Sequence, residues 1–326
     1  MDQLLRLEVV ISGRRNKKMS MVNGYKAFNK GLICKDKQYA ENAEFVEEEV
    51  EMCSKGMHYC ENPFDVLNYY SLVDDYGEIT EFAEVEGEDP VYDKEKKKCA
   101  TKRLKVGAKL SLKGFIEACF NFIWEKAEEK TGKDKDVIAS YEYGAQLASS
   151  GYGAQIASSG DYARLASSGD SAQIASSGDS AQIASSGYGA QIASSGDGAQ
   201  LASSGYGAQL ASSGDYARLA SSGDSAQIAS SGYGAQIASS GDSAQIASSG
   251  DYARLASSGD GAIVAAIGIN SKAKAKKGSW ITLAEYKQEN GYLTPVCVRT
   301  EQVDGERIRE EVFYQLKGGE FVEVEA

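Results

Sequence analysis

The chain has 326 residues, a formal net charge of −12 and a pI of about 4.8. A surface of that sign disfavours direct nucleic-acid binding and adhesion to anionic membranes, and no apolar run reaches the roughly 18 residues that a membrane helix needs. The six Cys form no C-x-x-C pair and there is a single His, so neither a metal nor a cofactor is expected and the thiols read as reduced, in the cytoplasm.

In chain order, residues 1–20 read as a leader without regular structure. Leu4, Leu5, Leu7, Val9, Val10 and Ile11 precede Arg14-Arg15, the reverse of a secretory signal, and Met19 or Met21 offers an alternative start. Residues 21–112 read as a small α+β head. Gly24-Tyr25-Lys26-Ala27-Phe28 is a short strand. Pro63 opens a helix capped by Asn62, with Phe64, Val66, Leu67 and Tyr70 as its apolar positions. Residues 79–85 alternate as a strand should, and Leu104-Lys105-Val106 is another.

A helix follows, assigned to 113–131 and beginning near Leu112 with Ser111 as its cap. Ile116, Cys119, Phe120, Ile123 and Ala127 make a stripe at helical spacing, flanked by Phe115 and Trp124. It is expected to cover the end of the structure that comes next; the competing reading packs it on the head alone.

Residues 138–267 are a nine-residue repeat. One copy is Gly169-Asp170-Ser171-Ala172-Gln173-Ile174-Ala175-Ser176-Ser177. Gly in every unit rules out a helix. A strand period of two places Ala172, Ile174 and Ser176 on one side, with Gln173 and Ala175 on the other. Ser177-Gly178-Asp179 has turn chemistry. Nine residues cannot close around Ile, so two units per coil are expected. The Arg variants at 164, 218 and 254 are separated by multiples of 18, which puts all three on one face. The result is a parallel β-solenoid of about seven coils, roughly 30–35 Å long.

Lys272, Lys274, Lys276 and Lys277 form a basic segment, read as a solvated turn. Residues 278–326 read as a small antiparallel β cap. Its hairpin signals are Asp304-Gly305, between 296–299 and 307–309, and Gly318-Gly319. The fold class is therefore mainly β: an α+β head, a parallel β-solenoid (β-helix) with about 18 residues per coil, and a β cap.

Gly24-Tyr25-Lys26-Ala27-Phe28, Lys55-Gly56-Met57-His58-Tyr59-Cys60-Glu61-Asn62-Pro63, Asn68-Tyr69-Tyr70 and Phe82-Ala83-Glu84-Val85 resemble a domain of unknown function in phage and prophage proteins. Ala265-Ala266-Ile267-Gly268-Ile269, Gly278-Ser279-Trp280-Ile281 and Leu283-Ala284-Glu285-Tyr286 extend the resemblance to the tail. Members of that family often carry low-complexity repeats. The resemblance implies a phage or mobile-element origin, a host bacterial cytoplasm and nothing catalytic.

The rod carries nine Asp and Glu142 against three Arg, a net −7 over 138–264. With two units per coil, Asp161, Asp179, Asp197 and Asp215 stack on one edge, and Asp224, Asp242 and Asp260 on the other. One reading has these Asp satisfy corner backbone donors. The other makes the rod a binding surface of Asp161, Asp179, Asp197, Asp215, Tyr188 and Tyr206, interrupted by Arg164, Arg218 and Arg254. Calcium fits poorly, because nine-residue calcium repeats need Asp where this repeat has Ala172 or Ala181. The functional expectation is a non-enzymatic interaction protein binding a host protein, as a counter-defence inhibitor or nucleic-acid mimic. Stacked repeats also allow a homodimer. Two alternatives stand: a structural spacer or virion component, and an enzyme around His58, whose strand is similar to the nicotinamide-pocket strand of ADP-ribosyltransferases. The acid such an enzyme needs would come from Glu61, Glu81, Glu84 or Glu86.

Overall fold

A computed structural model describes residues 20–52, 54–72, 79–94, 96–126, 137–289 and 291–325. The leader up to Met19, Cys53, Ala127 and the side chain of Trp124 lie outside the described residues.

The head contains β1 (Met21–Phe28), β2 (Ile33–Cys34), β3 (Lys37–Gln38), β4 (Ala43–Val46), β5 (Met57–Tyr59), α1 (Pro63–Val66), β6 (Glu81–Glu88), β7 (Val91–Tyr92), β8 (Cys99–Thr101) and β9 (Arg103–Leu110). Four strands form an antiparallel sheet in the order β1-β6-β9-β4, and β5-β8-β7 form a second. Alternation along β6 sends Ala83 and Val85 into a core with Phe28, Tyr39, Met57, Tyr59, Leu104 and Val106. Phe82 points the other way and stacks on Phe115 with ring centroids 3.7 Å apart. Gly87 is required where it stands: a Cβ there would collide with the Tyr59 hydroxyl and ring edge. Asn62 caps α1 as expected, its Oδ1 accepting from the Phe64 amide at 3.1 Å behind Pro63. After the head comes α2 (Leu112–Lys126).

The rod follows with sixteen strands, from β10 (Val137–Ser140) to β25 (Lys272–Lys274). Alternate strands belong to opposite sheets, and each pairs in parallel with the strand 18 residues away: Gln173 meets Gln191, Ile174 meets Ile192 and Ala175 meets Ala193. Two strands per coil make eight coils. The eighth, Ile263–Ala266 with Lys272–Lys274, keeps the shape after the repeat sequence has lapsed. Inside each repeat unit lie one Ile or Leu, the Ala two residues before it and the Ser two residues after it, as at Ala172, Ile174 and Ser176, while the last coil puts Val264 and Ala273 in the central place.

Each corner explains its residues. At Gly178 a Cβ would collide with the carbonyl of Gly160 one coil below, so the unit keeps Gly wherever successive backbones meet. Two residues later the chain is left-handed, with φ +55° at Ser180 and +58° at Tyr162. That amide donates to a carbonyl in the next coil, as in Ser180 N to Asp197 O at 2.7 Å.

The cap continues both sheets. β26 (Trp280–Glu289) adds in parallel to Ile263–Ala266, and β27 (Tyr292–Gln302) returns against it. β28 (Tyr314–Lys317) pairs with β25 and with β29 (Glu320–Glu323) around Gly318-Gly319, the expected hairpin. The other expected hairpin is absent. Asp304 instead closes a tight turn, its Oδ1 accepting from the amides of Glu306, Arg307 and Ile308. The long hairpin β26–β27 closes with Glu289 paired to Tyr292. The basic segment is also not a solvated turn. Lys272 and Lys274 lie in β25, Lys274 is 1% exposed, and its Nζ meets Glu311 Oε2 at 2.9 Å. Ladder pairing with Arg254 and Ala256 draws these two lysines into the sheet.

Candidate functional site

The two rod sheets are built from one repeat, yet they have different surroundings. On the sheet that holds Arg164–Ser167 and Arg254–Ser257, the outward Ala166, Ala184, Ala202, Ala220, Ala238 and Ala256 are all buried. Most of this row is covered by the head. Phe64, Val66, Leu67 and Leu72 share a cluster with it, as do Leu112, Phe115, Ile116, Cys119 and Ile123 of α2. The stripe read from the sequence is therefore real, but α2 does not cover the rod's end. It contacts five successive strands of this sheet, from Gln146–Ser149 to Arg218–Ser221. Fifteen residues make about 22 Å of helix and five strands span about 19 Å, so α2 runs along the rod axis. Its pitch of about 5.4 Å nearly matches the strand spacing of about 4.8 Å, so each turn meets roughly one Ala. Only a residue as small as Ala lets the helix come this close.

Beside α2, residues 62–72 follow the outer Gln and Arg row. Asn62 Nδ2 donates to Gln182 Oε1 at 3.0 Å, Gln200 Nε2 to Asn68 Oδ1 at 3.2 Å, and the Leu72 amide to Gln236 Oε1 at 3.0 Å. Arg164 Nε donates to Gln182 Oε1 at 3.1 Å. Burial raises the pKa of Asp65, and Arg164 opposes that shift. Burial alone lowers the pKa of the Arg218 guanidinium. The three Arg thus share one face, as their spacing predicts. They do not interrupt an acidic surface, because theirs is the face on which the head is docked. The contacts at Gln182, Gln200 and Gln236 had no signal in the sequence, since every unit without Arg carries the same Gln.

The Asp rows stand at the corners. Asp161 Oδ1 accepts the amide of Asp179 at 2.9 Å, Asp179 that of Asp197 at 2.9 Å, and Asp197 that of Asp215 at 2.8 Å. Each carboxylate ties its coil to the next. Tyr188 and Tyr206 lie on the opposite corner row, exposed and stacked with centroids 5.3 Å apart. The predicted binding set is therefore divided among two corners and the covered face.

The second sheet is open. Gln155, Gln173, Gln191, Gln209, Gln227 and Gln245 form an exposed row, with Ala157, Ala175, Ala193, Ala211, Ala229 and Ala247 in a parallel one. A groove of about 790 Å³ runs between the Gln and Ala rows, and one of about 630 Å³ lies on the far side of the Ala row.

A separate cleft of about 870 Å³ lies in the head, lined by His58 with Lys26, Lys35, Lys98, Tyr69 and Tyr70 among others. Burial, then Lys98, Lys26 and Lys35, push the His58 pKa down to about 4, so its ring is neutral at pH 7. None of Glu61, Glu81, Glu84 or Glu86 lines this cleft; Glu81 binds the Leu32 amide and pairs with Lys109. Cys60 is buried, which raises its thiol pKa well above the usual range and removes nucleophilic character at neutral pH. Among the described residues no group of three or more His, Cys, Asp or Glu is placed to hold a metal ion, and no helix is long and apolar enough to cross a membrane.

These features define a β-solenoid protein with an α+β head docked along its flank. Residues 22–118, the head with the first half of α2, match the model of a domain of unknown function, DUF7666. No curated protein and no solved structure matches the chain.

Proposed function

We propose that this is a non-enzymatic interaction protein and that the open face of the rod is its binding surface. One observation carries the reading: the open face repeats the Gln and Ala rows that, on the opposite face, seat an amphipathic helix. The occupant that this chemistry fits is a helix of a partner protein, its small-to-medium apolar stripe along the Ala row and its polar flank against the Gln row. The acidic corners beside that face favour a partner whose helix is flanked by Lys or Arg. The resemblance of the head and tail to phage and prophage proteins supports a host bacterial protein as that partner, and a counter-defence role for the complex.

The test is capture from bacterial lysate with the full chain, compared with a chain carrying Ala193→Arg and Ala211→Arg. Both substitutions point into solvent and leave the fold intact. A defined protein that binds the parent and is lost from the variant supports the reading. A partner retained by the variant moves binding to the corners or the head, and the absence of any partner favours a spacer.

A further inference from the structure

The head cleft has chemistry that a rod-binding function does not use. Two of its lysines are neutralised at the rim, Lys37 by Glu47 and Lys55 by Glu49. Lys26, Lys35 and Lys98 are not: among the described residues none of them has a carboxylate within ion-pair distance. Five lysines line the cleft against four carboxylates, Asp36, Glu47, Glu48 and Glu49, so five minus four leaves it about +1 around one neutral imidazole, in a chain of net −12. Lys26 is 5% exposed, and its Nζ donates to the His58 carbonyl at 2.8 Å. The ring centroids of Tyr39 and Phe28 lie 5.4 and 5.5 Å from it. An ammonium has three donors, and one carbonyl and the nearby Cys34 thiol leave capacity for an anion. Burial lowers the Lys26 pKa, and a bound anion would oppose that shift by favouring the charged form.

The walls are aromatic. Tyr25, Tyr39, Tyr69 and Tyr70 line the cleft, Lys98 Nζ stands 4.2 Å from the Tyr69 centroid, and Tyr70 Oη meets Cys34 Sγ at 2.8 Å. A volume of about 870 Å³ falls in the range of roughly 300–1,000 Å³ typical of small-molecule sites. We propose that this cleft binds a mononucleotide, with Lys26, Lys35 and Lys98 on its phosphate and Tyr69 and Tyr70 against its base. Anion and aromatic surface are needed together, since the lysines recognise the first and the tyrosines the second.

The experiment is calorimetric titration of the full chain with AMP, adenosine and inorganic phosphate, each used separately. AMP is expected to bind at least about tenfold more tightly than either fragment, and Lys35→Glu and Lys98→Glu, away from the core, each to weaken it about tenfold or more. Thermal unfolding of both variants should match the parent, which separates lost recognition from lost fold. No AMP binding at millimolar concentration overturns the proposal. So does AMP binding no tighter than phosphate, or binding that survives both charge reversals.

Discussion

Ala202 and Ala211 occupy the same place in consecutive repeat units and differ only in the sheet that carries them. Ala202 is 4% exposed beneath α2, whereas Ala211 is open to solvent. Replacing each by Leu adds the same three carbon atoms. At Ala211 they enter water, and the expected change in stability is within about 0.5 kcal/mol. At Ala202 they meet a packed interface, where overpacking costs about 1–3 kcal/mol. Lifting α2 off the rod is the competing response. It would uncover Phe115, Ile116 and Ile123, each worth about 1.5–3 kcal/mol when fully buried. That loss exceeds the strain, so the helix stays docked and its neighbours shift. Urea unfolding followed by circular dichroism is the assay. Ala202→Leu should lower the midpoint with an unchanged slope, and Ala211→Leu should leave both unchanged. Equal losses at the two positions would refute the assignment of covered and open faces.

Three other outcomes are expected. Asn62→Ala removes the cap of α1 and a bond to Gln182, and should cost about 0.5–2 kcal/mol in the same urea assay. His58, as the only His, gives a single imidazole titration by NMR, and its midpoint should lie near pH 4. Because the unfolded ring takes up its proton near pH 6.5 and the folded one only near 4, the neutral ring's contribution to stability is complete above pH 6.5 and falls as pH drops towards 4; His58→Gln should flatten that window. Glu311→Ala leaves the buried Lys274 ammonium without its carboxylate, and thermal unfolding should show a loss of about 1–3 kcal/mol, with Lys274→Met milder because the ammonium goes too.

The rod was legible because one unit contains its whole explanation: a period of two around each Ile, a turn, and a Gly where coils touch. The spacing of the Arg variants carried the two-unit coil and their common face. What covers that face was not legible. Gln-Ile-Ala-Ser is the same string on both sheets, and a local pattern cannot say that Ala184 is beneath α2 while Ala193 is in water. The helical stripe from Leu112 to Ile123 called for an apolar partner, and a row of single methyl groups is a weak signal beside the exposed end of a coil. In the cap, Asp304-Gly305 misled as a hairpin signal, because the Asp304 carboxylate accepts from three following amides instead of turning a ladder. The burial of Lys274 depends on Glu311, 37 residues away, which no local reading reaches.

The pairing of units into coils limits how this chain can change length. Adding or deleting a single nine-residue unit ahead of Arg218 would rotate everything downstream by half a coil. Arg218 would leave the sheet on which the head is docked for the open one, Arg254 would change sheets with it, and β26 would arrive at the wrong sheet. Only even numbers of units preserve the molecule. Even these are constrained between Gln182 and Gln236, where residues 62–72 are measured out against particular coils. Variation in repeat number among relatives should therefore occur in steps of 18 residues and concentrate after Gln236, lengthening the open face while leaving the docked head as it is.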